Sequence, residues 1–501
     1  MSVVLDALLY VVGWTHVLLA PYTKVEESFN LHATHDILLH GVSPSAVLKY
    51  DHRVFSGPVP RSFIGSLLLA GLSHPVLLLA SNFDLLRSKL DIQVVARRFG
   101  RPTGFLFTLL TCSQFHIPFW MGRTLPNMFG LPFVNIASYL LLDRAKNAQR
   151  STPRSVSSAL SLLIFTAVVL RAEVALLLAG VSLQMLLGHH ISFTRFLSVG
   201  FTAGIASIAL TVLIDSYFWR TWVWPELAGI YFNVYQGKSS EWGVSPYHAY
   251  LSSHLPKILL SAFPLSIVSY LLERRIRIAL FPPLLYVALI SALGHKEWRF
   301  IAYVVPSFNV SAATGARWLV GLRKGSLAGR LAFLTVAGAL AANTLMTLAF
   351  TRASMLNYPG GVALSRLNDR YVASPNVHVH ISNLAAQTGA SLFLHAHAPP
   401  HPAYLPPTTA HWTYDKTEHL TLRQLGASAN ITHLIVEERG WNEGVWLVSD
   451  AVESFAGWDV GGLRDVQGLR ERVAKEGVLG VLGSLGVRRE QRLWILEKRG
   501  K

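Results

Sequence analysis

The sequence predicts a polytopic α-helical membrane protein of about 11 spans with large first and third far-side loops and a C-terminal α/β domain. Three observations carry this. Of 501 residues, 51% are apolar, 14% are charged and mean hydropathy is +0.38; soluble domains carry about 25% charge. Apolar runs near spanning length recur through the first two thirds of the chain. The net charge of +16 is divided unevenly between alternate loops. Such a composition excludes a disordered chain, a nucleic-acid-binding tail protein and an ordinary soluble enzyme.

Taken in order, the spans are read at 3–20, 63–80, 104–120, 126–142, 157–171, 173–188, 196–214, 257–272, 278–293, 299–319 and 331–350. The first is not read as a cleaved signal peptide, because no basic stretch precedes it and no small-residue cleavage site follows. The single cysteine, Cys112, lies in the third run, which excludes an intrachain disulfide and Cys-based metal or redox motifs. With a cytosolic N-terminus, cytosolic loops collect Arg87, Lys89, Arg97, Arg98 and Arg101, then Arg144, Lys146, Arg150 and Arg154. They go on to collect Arg195, then Arg274, Arg275 and Arg277, then Arg317, Arg323, Lys324 and Arg330. Opposite loops hold Glu26, Glu27, Asp36, Asp51, Asp215, Glu226 and Glu241. This is a positive-inside pattern, so the basic excess reads as topology, with membrane lipids and no nucleic acid as partners. Segment 81–100 spaces apolar residues helically between arginines and is expected to lie flat on the cytosolic surface.

An odd number of spans puts 351–501 on the far side. The division is therefore 1–350, a membrane catalytic domain, and 351–501, a soluble far-side domain. Strands are expected at 377–381, 391–395 and 433–436, and 399–407 is a proline-rich loop. The sequon Asn430-Ile431-Thr432 would be usable there. A second match, Asn309-Val310-Ser311, falls inside a span and reads as chance.

Chemistry gathers in the far-side loops. The first, 21–61, opens with Thr23-Lys24-Val25-Glu26-Glu27-Ser28-Phe29-Asn30 and reads as a short interfacial helix stopping at Gly41. Adjacent helix positions diverge by about 100°. One glutamate can then face a reaction centre as general base while the scaffold holds the other; the plainer reading is a solvated pair near a helix start. Tyr50-Asp51-His52 and Pro60-Arg61 follow as substrate ligands or loop anchors. Arg123, in Gly122-Arg123-Thr124-Leu125-Pro126-Asn127, reads as an anion ligand or a snorkelling side chain. Arg171 and Glu173 are expected to pair with each other or with the loops. The third large loop carries Asp215, Trp219, Trp222, Glu226, Asn233 and Trp242. Indole faces stack on sugar faces while carboxylates and amides take hydroxyls, although Trp219 and Trp222 read equally as an aromatic belt. His295-Lys296-Glu297-Trp298-Arg299-Phe300 sets cations where positive-inside logic disfavours them. A lipid phosphate would explain them, its developing charge stabilised by these donors; the alternative is neutralisation by Glu297.

The 295–300 hexad resembles the signature of glycosyltransferase family 22, multispanning mannosyltransferases that use dolichyl-phosphate mannose in the endoplasmic reticulum lumen. The 23–30 stretch with Thr34-His35-Asp36 is similar to the branch that extends a dolichyl-diphosphate-linked oligosaccharide. So are Tyr50-Asp51-His52, Arg123–Asn127, Arg171-Ala172-Glu173, Asp215–Trp219, Asn357–Gly361 and Val377–Ile381. The resemblance runs to about residue 440, and the last fifty residues look variable.

It implies the GT-C membrane fold with a catalytic first lumenal loop. It implies transfer of mannose in α-1,6 linkage, with inversion, to a seven-mannose lipid-linked acceptor. Many relatives carry Asp-Glu where this chain has Glu26-Glu27, which makes Glu26 the positional match to the base and Glu27 its support. His295, Lys296 and Arg299 match the positions assigned to the donor phosphate. Asp51, His52, Arg61, Arg123, Asp215, Trp219 and Glu226 are candidate substrate contacts. No metal or other cofactor is required on this scheme, and a divalent ion is left open. A related enzyme with another mannolipid acceptor is the nearest alternative. A transporter or flippase would show internal repeats and mid-span polar sites, which are not seen. An inactive scaffold would have lost the acidic pair or the hexad.

Overall fold

The computed structural model describes residues 2–82, 105–142, 151–322, 325–399, 401, 405, 410–476 and 485–499. The principal helices are α1 (Ser2–Leu19), α2 (Val25–His40), α3 (Ile64–Asn82), α4 (Phe105–Ser113), α5 (Pro126–Leu142), α6 (Pro153–Phe165) and α7 (Val174–Leu187). They continue with α8 (Phe193–Trp219), α9 (Ala262–Leu272), α10 (Arg274–Ile290), α11 (Val305–Val320), α12 (Leu327–Met355) and α13 (Pro359–Arg370). Helix therefore covers each apolar run read as a span, with three informative breaks. The run at 104–120 stops at Ser113 and resumes over His116–Trp120, because Pro118 has no N–H to offer the preceding turn. The run at 257–272 is split at Leu260, whose φ is +52°, and its halves meet at 109°. The run at 299–319 begins as a 3-10 helix, Trp298–Val304, and becomes α11 at Val305, with Pro306 suited to its first turn.

Among the described residues, three helices are long and apolar enough to cross a membrane: Pro153–Leu170, Phe193–Trp219 and Leu327–Met355. The bent pair, if counted as one span, makes a fourth, and Ala7–Leu19, Ile64–Ala80, Pro126–Leu142 and Val174–Leu187 are shorter apolar helices.

The chain forms two compact units. One comprises Met1–Gly13, His52–Leu68 and Phe99–Thr344. Its core is built from α5, α6, α7, α10 and α11, with Val156, Leu160, Val174, Tyr286 and Val305 buried. Gly315 lets α11 approach α9 closely, since a Cβ there would lie 2.2 Å from the Leu265 carbonyl oxygen. Asn309 donates to Gln114 and Thr111 at 2.9 and 3.1 Å, and the Ser311 and Ser269 hydroxyls lie 2.7 Å apart. The Asn309 sequon is thus a buried polar clamp between helices.

The other unit comprises Trp14–Asp51, Leu69–Arg98 and Leu345–Lys501. Its five strands are β1 (His378–Ile381), β2 (Thr413–Asp415), β3 (His433–Val436), β4 (Trp446–Asp459) and β5 (Gly486–Lys498), in the order β2-β1-β3-β5-β4. β1 runs parallel to β2 and β3, and β5 pairs antiparallel with β3 and β4. The strands expected at 377–381 and 433–436 are β1 and β3. The third, expected at 391–395, is instead a 3-10 turn, Leu392–Leu394. Phe393 packs with Leu31 and Leu77, and the Asn368 amide donates to the Leu394 carbonyl, so a side chain replaces a ladder partner. Gly361 and Gly389 close on the Tyr22 side chain: an added Cβ at Gly361 would press on its ring, and one at Gly389 would lie 2.9 Å from its Cβ. The expected surface helix at 81–100 and most of the 399–407 loop lie outside the described residues, as do Arg101, Arg144, Lys146, Arg150, Arg323 and Lys324.

Candidate active site

In the second unit, α2 is the element that carries carboxylates. Lys24, just before it, is extended (φ −103°, ψ 170°) and its N–H donates to Glu27 Oε1 at 3.3 Å. That contact caps a free amide of the first turn. Glu27 is 4% exposed, whereas its neighbour Glu26 is exposed to solvent. The helix ends where the sequence indicates, at Gly41 with φ +75°. Tyr50 buttresses this turn by donating its hydroxyl to the Gly41 carbonyl at 2.7 Å.

Deeper along α2 lies a second acidic pair. Asp36 Oδ2 accepts the Asp51 N–H at 2.7 Å, and Asp36 Oδ1 lies 3.0 Å from His35 Nδ1. Asp51 sits between His32 Nδ1, at 3.0 Å, and the Lys416 ammonium. Burial pushes the Asp36 carboxyl up to about 7, against the Asp51 N–H and with the Asp51 charge adding to the rise. Burial acts the same way on Asp51, but His32 and Lys416 outweigh it and hold that carboxyl well below the usual range. The two aspartates therefore divide their charge: Asp51 is the anion and Asp36 the group able to hold a proton. Lys416 follows β2 and has no helical or motif setting, so nothing local in the sequence marks it.

In the first unit, the 52–63 segment is tied to the end of α8. Asp215 is fully buried; its Oδ1 accepts the Phe63 N–H and its Oδ2 the Thr211 hydroxyl, both at 2.6 Å. The Trp219 indole donates to the Arg61 carbonyl at 2.9 Å. His52 Nε2 lies 3.1 Å from the Phe218 carbonyl, with its ring edge-on to Phe63 and Trp219. These candidates form a fastening of buried polar and aromatic groups. Arg123 is also buried, its guanidinium 4.2 Å from the centre of the Phe119 ring.

Charges concentrate nearby in the same unit. Arg171 Nε donates to Glu173 Oε1 at 2.8 Å, the pairing expected, and Asn127 donates to the same oxygen at 2.8 Å. Glu226 Oε2 accepts the Ala172 N–H at 2.6 Å. Burial pushes Glu226 up to about 7, with Arg171 opposing and Glu173 assisting. Burial, and repulsion from Arg171 and Arg299, push Arg61 down to about 10, with Glu226 and Glu173 opposing. Arginines this crowded favour an anion among them.

The hexad contributes Arg299, which binds Glu297 at 2.7 Å, while His295 Nε2 lies 3.1 Å from the same carboxylate. Neutralisation by Glu297 is thus realised. Lys296 turns elsewhere, donating to the Leu293 and Ser245 carbonyls at 2.6 and 3.3 Å. The Tyr250 hydroxyl accepts the Glu297 N–H and donates to the Glu297 carbonyl, both at 3.2 Å, fixing the backbone of the hexad. Tyr303, whose hydroxyl accepts from the Asn127 amide at 3.3 Å, lies in an apolar run and reads as core in the sequence, and Tyr250 lies unmarked in the third large loop. Among the described residues, no three His, Cys, Asp or Glu side chains are grouped to hold a metal ion.

Apolar helices with charged side chains gathered at their ends, joined to a small sheet, fit a membrane-embedded glycosyltransferase of the GT-C kind. The sequence profile of the Alg9-like mannosyltransferase family matches residues 81–395, and the chain belongs to that family. Three relatives share the name Dol-P-Man:Man(7)GlcNAc(2)-PP-Dol alpha-1,6-mannosyltransferase. The Drosophila melanogaster protein is 37% identical over 87% of this chain and 63% of its own length. The Arabidopsis thaliana protein is 34% identical over 86% of each chain. The Saccharomyces cerevisiae protein is 34% identical over 84% of this chain and 81% of its own. The chain thus spans somewhat under two thirds of the Drosophila relative and more of the other two.

Proposed function

We propose that this protein transfers mannose from dolichyl-phosphate mannose to the seven-mannose dolichyl-diphosphate oligosaccharide, forming an α-1,6 linkage with inversion. The observation that carries the reading is identity of 34–37% over most of the chain to relatives of that name. The crowded arginines add a chemical reason, since donor and leaving group are both phosphates. On this reading the protein works in the endoplasmic reticulum membrane with about eleven spans, a lumenal active site and a lumenal domain from about residue 351.

The donor linkage is β and the product α, so a single in-line displacement suffices. The acceptor 6-oxygen forms its bond to the mannose C1 as the bond from C1 to the phosphate oxygen breaks. The hydroxyl proton passes to the exposed Glu26, and dolichyl phosphate leaves with the electron pair. Arg299 exchanges part of its hold on Glu297 for the departing phosphate, with His295 beside it, and the phosphate needs no proton to leave. Lys296 supports the hexad through its carbonyl contacts. No metal or other cofactor enters the scheme.

The test is transfer by the purified protein from dolichyl-phosphate mannose to the seven-mannose acceptor, with the product digested by linkage-specific mannosidases. An α-1,6-linked eighth mannose is expected. No transfer, or a different linkage, overturns the reading. Arg299→Ala should raise the donor KM well above any change in the acceptor KM; equal effects remove Arg299 from the donor site.

A further inference from the structure

The second unit holds a cleft of about 460 Å³ far along the chain from every residue assigned above. Arg439, Trp441, Glu443, Gln491 and Trp494 shape it, over a floor of Val448 and Ala451. Its size falls within the roughly 300–1,000 Å³ of small-ligand sites.

Two β-bulges make the cleft. Val448 pairs with Leu496 and Asp450 with Ile495, which leaves Ser449 as an extra residue in β4. Val452 pairs with Leu493 and Glu453 with Gln491, which leaves Arg492 extra in β5. In a regular strand, residues three apart face opposite sides. The extra residues bring Val448 onto the face of Ala451, and Gln491 onto the face of Trp494.

The lining has a particular chemistry. The Trp441 and Trp494 ring centres are 5.8 Å apart and inclined at 47°, making a corner of two indoles. The Arg439 guanidinium lies 4.8 Å from the centre of the Trp494 ring. Among the described residues, no hydrogen bond or ion pair engages the Glu443 carboxylate, the Gln491 amide or the Trp441 indole N–H. Aromatic faces suit the C–H face of a pyranose, and planar amide, carboxylate and guanidinium groups suit its vicinal hydroxyls. One carboxylate and one guanidinium leave the cleft without strong net charge, which favours a neutral sugar over a phosphate.

We infer that this cleft is a saccharide-binding site that takes a mannose branch of the acceptor glycan. The inference rests on the proposed function for the identity of the glycan. The cleft lies beyond residue 395, where the match to the family profile ends. A glycan held there is held independently of its lipid and of the donor.

The test uses the full-length protein in detergent, with two probes: the free seven-mannose glycan cut from its lipid, and methyl α-mannoside. The free glycan should bind the wild type and alter its tryptophan fluorescence, with methyl α-mannoside binding the same site more weakly. Trp441→Ala should weaken glycan binding about tenfold, the loss of one aromatic contact. Glu443→Gln and Gln491→Ala, both exposed positions, should each weaken it about three- to tenfold. The same three changes should raise the acceptor KM and leave the donor KM where it was. Unchanged binding and unchanged acceptor KM in Glu443→Gln and Gln491→Ala overturn the inference, even if Trp441→Ala fails to fold. Transfer by the wild type with no effect of these variants sinks the cleft and leaves the function standing. Glycan binding that depends on them, without transfer, does the reverse.

Discussion

Two adjacent glutamates illustrate how one helix separates two fates at the scale of the residue. Glu27 is drawn inward and spends an oxygen on the Lys24 N–H; Glu26, about 100° around the helix, stays in solvent. Glu26→Gln should therefore lower turnover about a hundredfold or more, the usual loss of a general base, with folding intact. Glu27→Gln should act mainly on the melting temperature. Full turnover in both variants would remove the base from this pair. Asp36 offers a separate test. Its carboxyl titrates near 7 in the folded chain, against an ordinary value of 3.8. Between those values the unfolded chain gives up the proton first, so this group's contribution to stability is complete below about 3.8 and is lost as pH rises through about 7. Asp51 has the opposite sign, since its contribution is present above the ordinary carboxylate range and lost as pH falls through it. Asp36→Asn cannot ionise and should flatten the fall in melting temperature between about pH 4 and pH 7. An unaltered pH profile would show that Asp36 is already charged in the fold.

At the scale of elements, the second unit depends on a contact that joins segments 365 residues apart, Lys416 to Asp51. Both side chains are largely buried, and His32 remains to Asp51 when the lysine is lost. Lys416→Ala should therefore cost about 2–4 kcal/mol of stability, near or below the cost of breaking a buried pair. Pairing Lys416→Met with Asp51→Asn should cost less than the sum of the two, read by chemical unfolding of the purified protein. Strict additivity would mean that the two side chains do not interact. Gly315→Ala presses a methyl onto the Leu265 carbonyl and should destabilise by about 1–3 kcal/mol, as overpacking does. These contacts also mark what the sequence could convey. Apolar runs disclosed the helices, and the stop at Gly41 was visible because a glycine with positive φ closes helices. Alternation disclosed β1 and β3. It misled at 391–395, where Phe393 packs inward on α2 residues and the backbone turns once. The hexad and the acidic pair were legible because charge stands out in an apolar chain. Lys416, Tyr250 and Tyr303 were not, since their partners are distant in sequence and their own surroundings are unremarkable.

For the whole molecule, the distribution of charge is an argument about orientation. Many of the basic residues gather on one set of loops, which the positive-inside rule assigns to the cytosol, while acids gather on the other set. On the proposed orientation, residues 351–501 cross the membrane with the first polar loop. Asn430 reports on this directly. It is exposed at the approach to β3, whereas the Thr432 hydroxyl of the same sequon accepts the His378 N–H at 2.9 Å and donates to the His378 carbonyl at 3.1 Å. A sequon whose hydroxyl is enclosed between two strands is open to the transferase only before β1 and β3 pair, so modification belongs to the nascent chain. Expressed in cells, the protein should carry one glycan, removed by endoglycosidase H and abolished by Asn430→Gln. Asn309→Gln should leave it in place, because Asn309 is buried between helices. Thr432→Ser should retain it, since the serine hydroxyl serves both the transferase and His378. A wild-type chain without glycan would place the tail on the cytosolic side. It would then invert the reading of every loop, since the proposed topology assigns the first polar loop and residue 430 to one side.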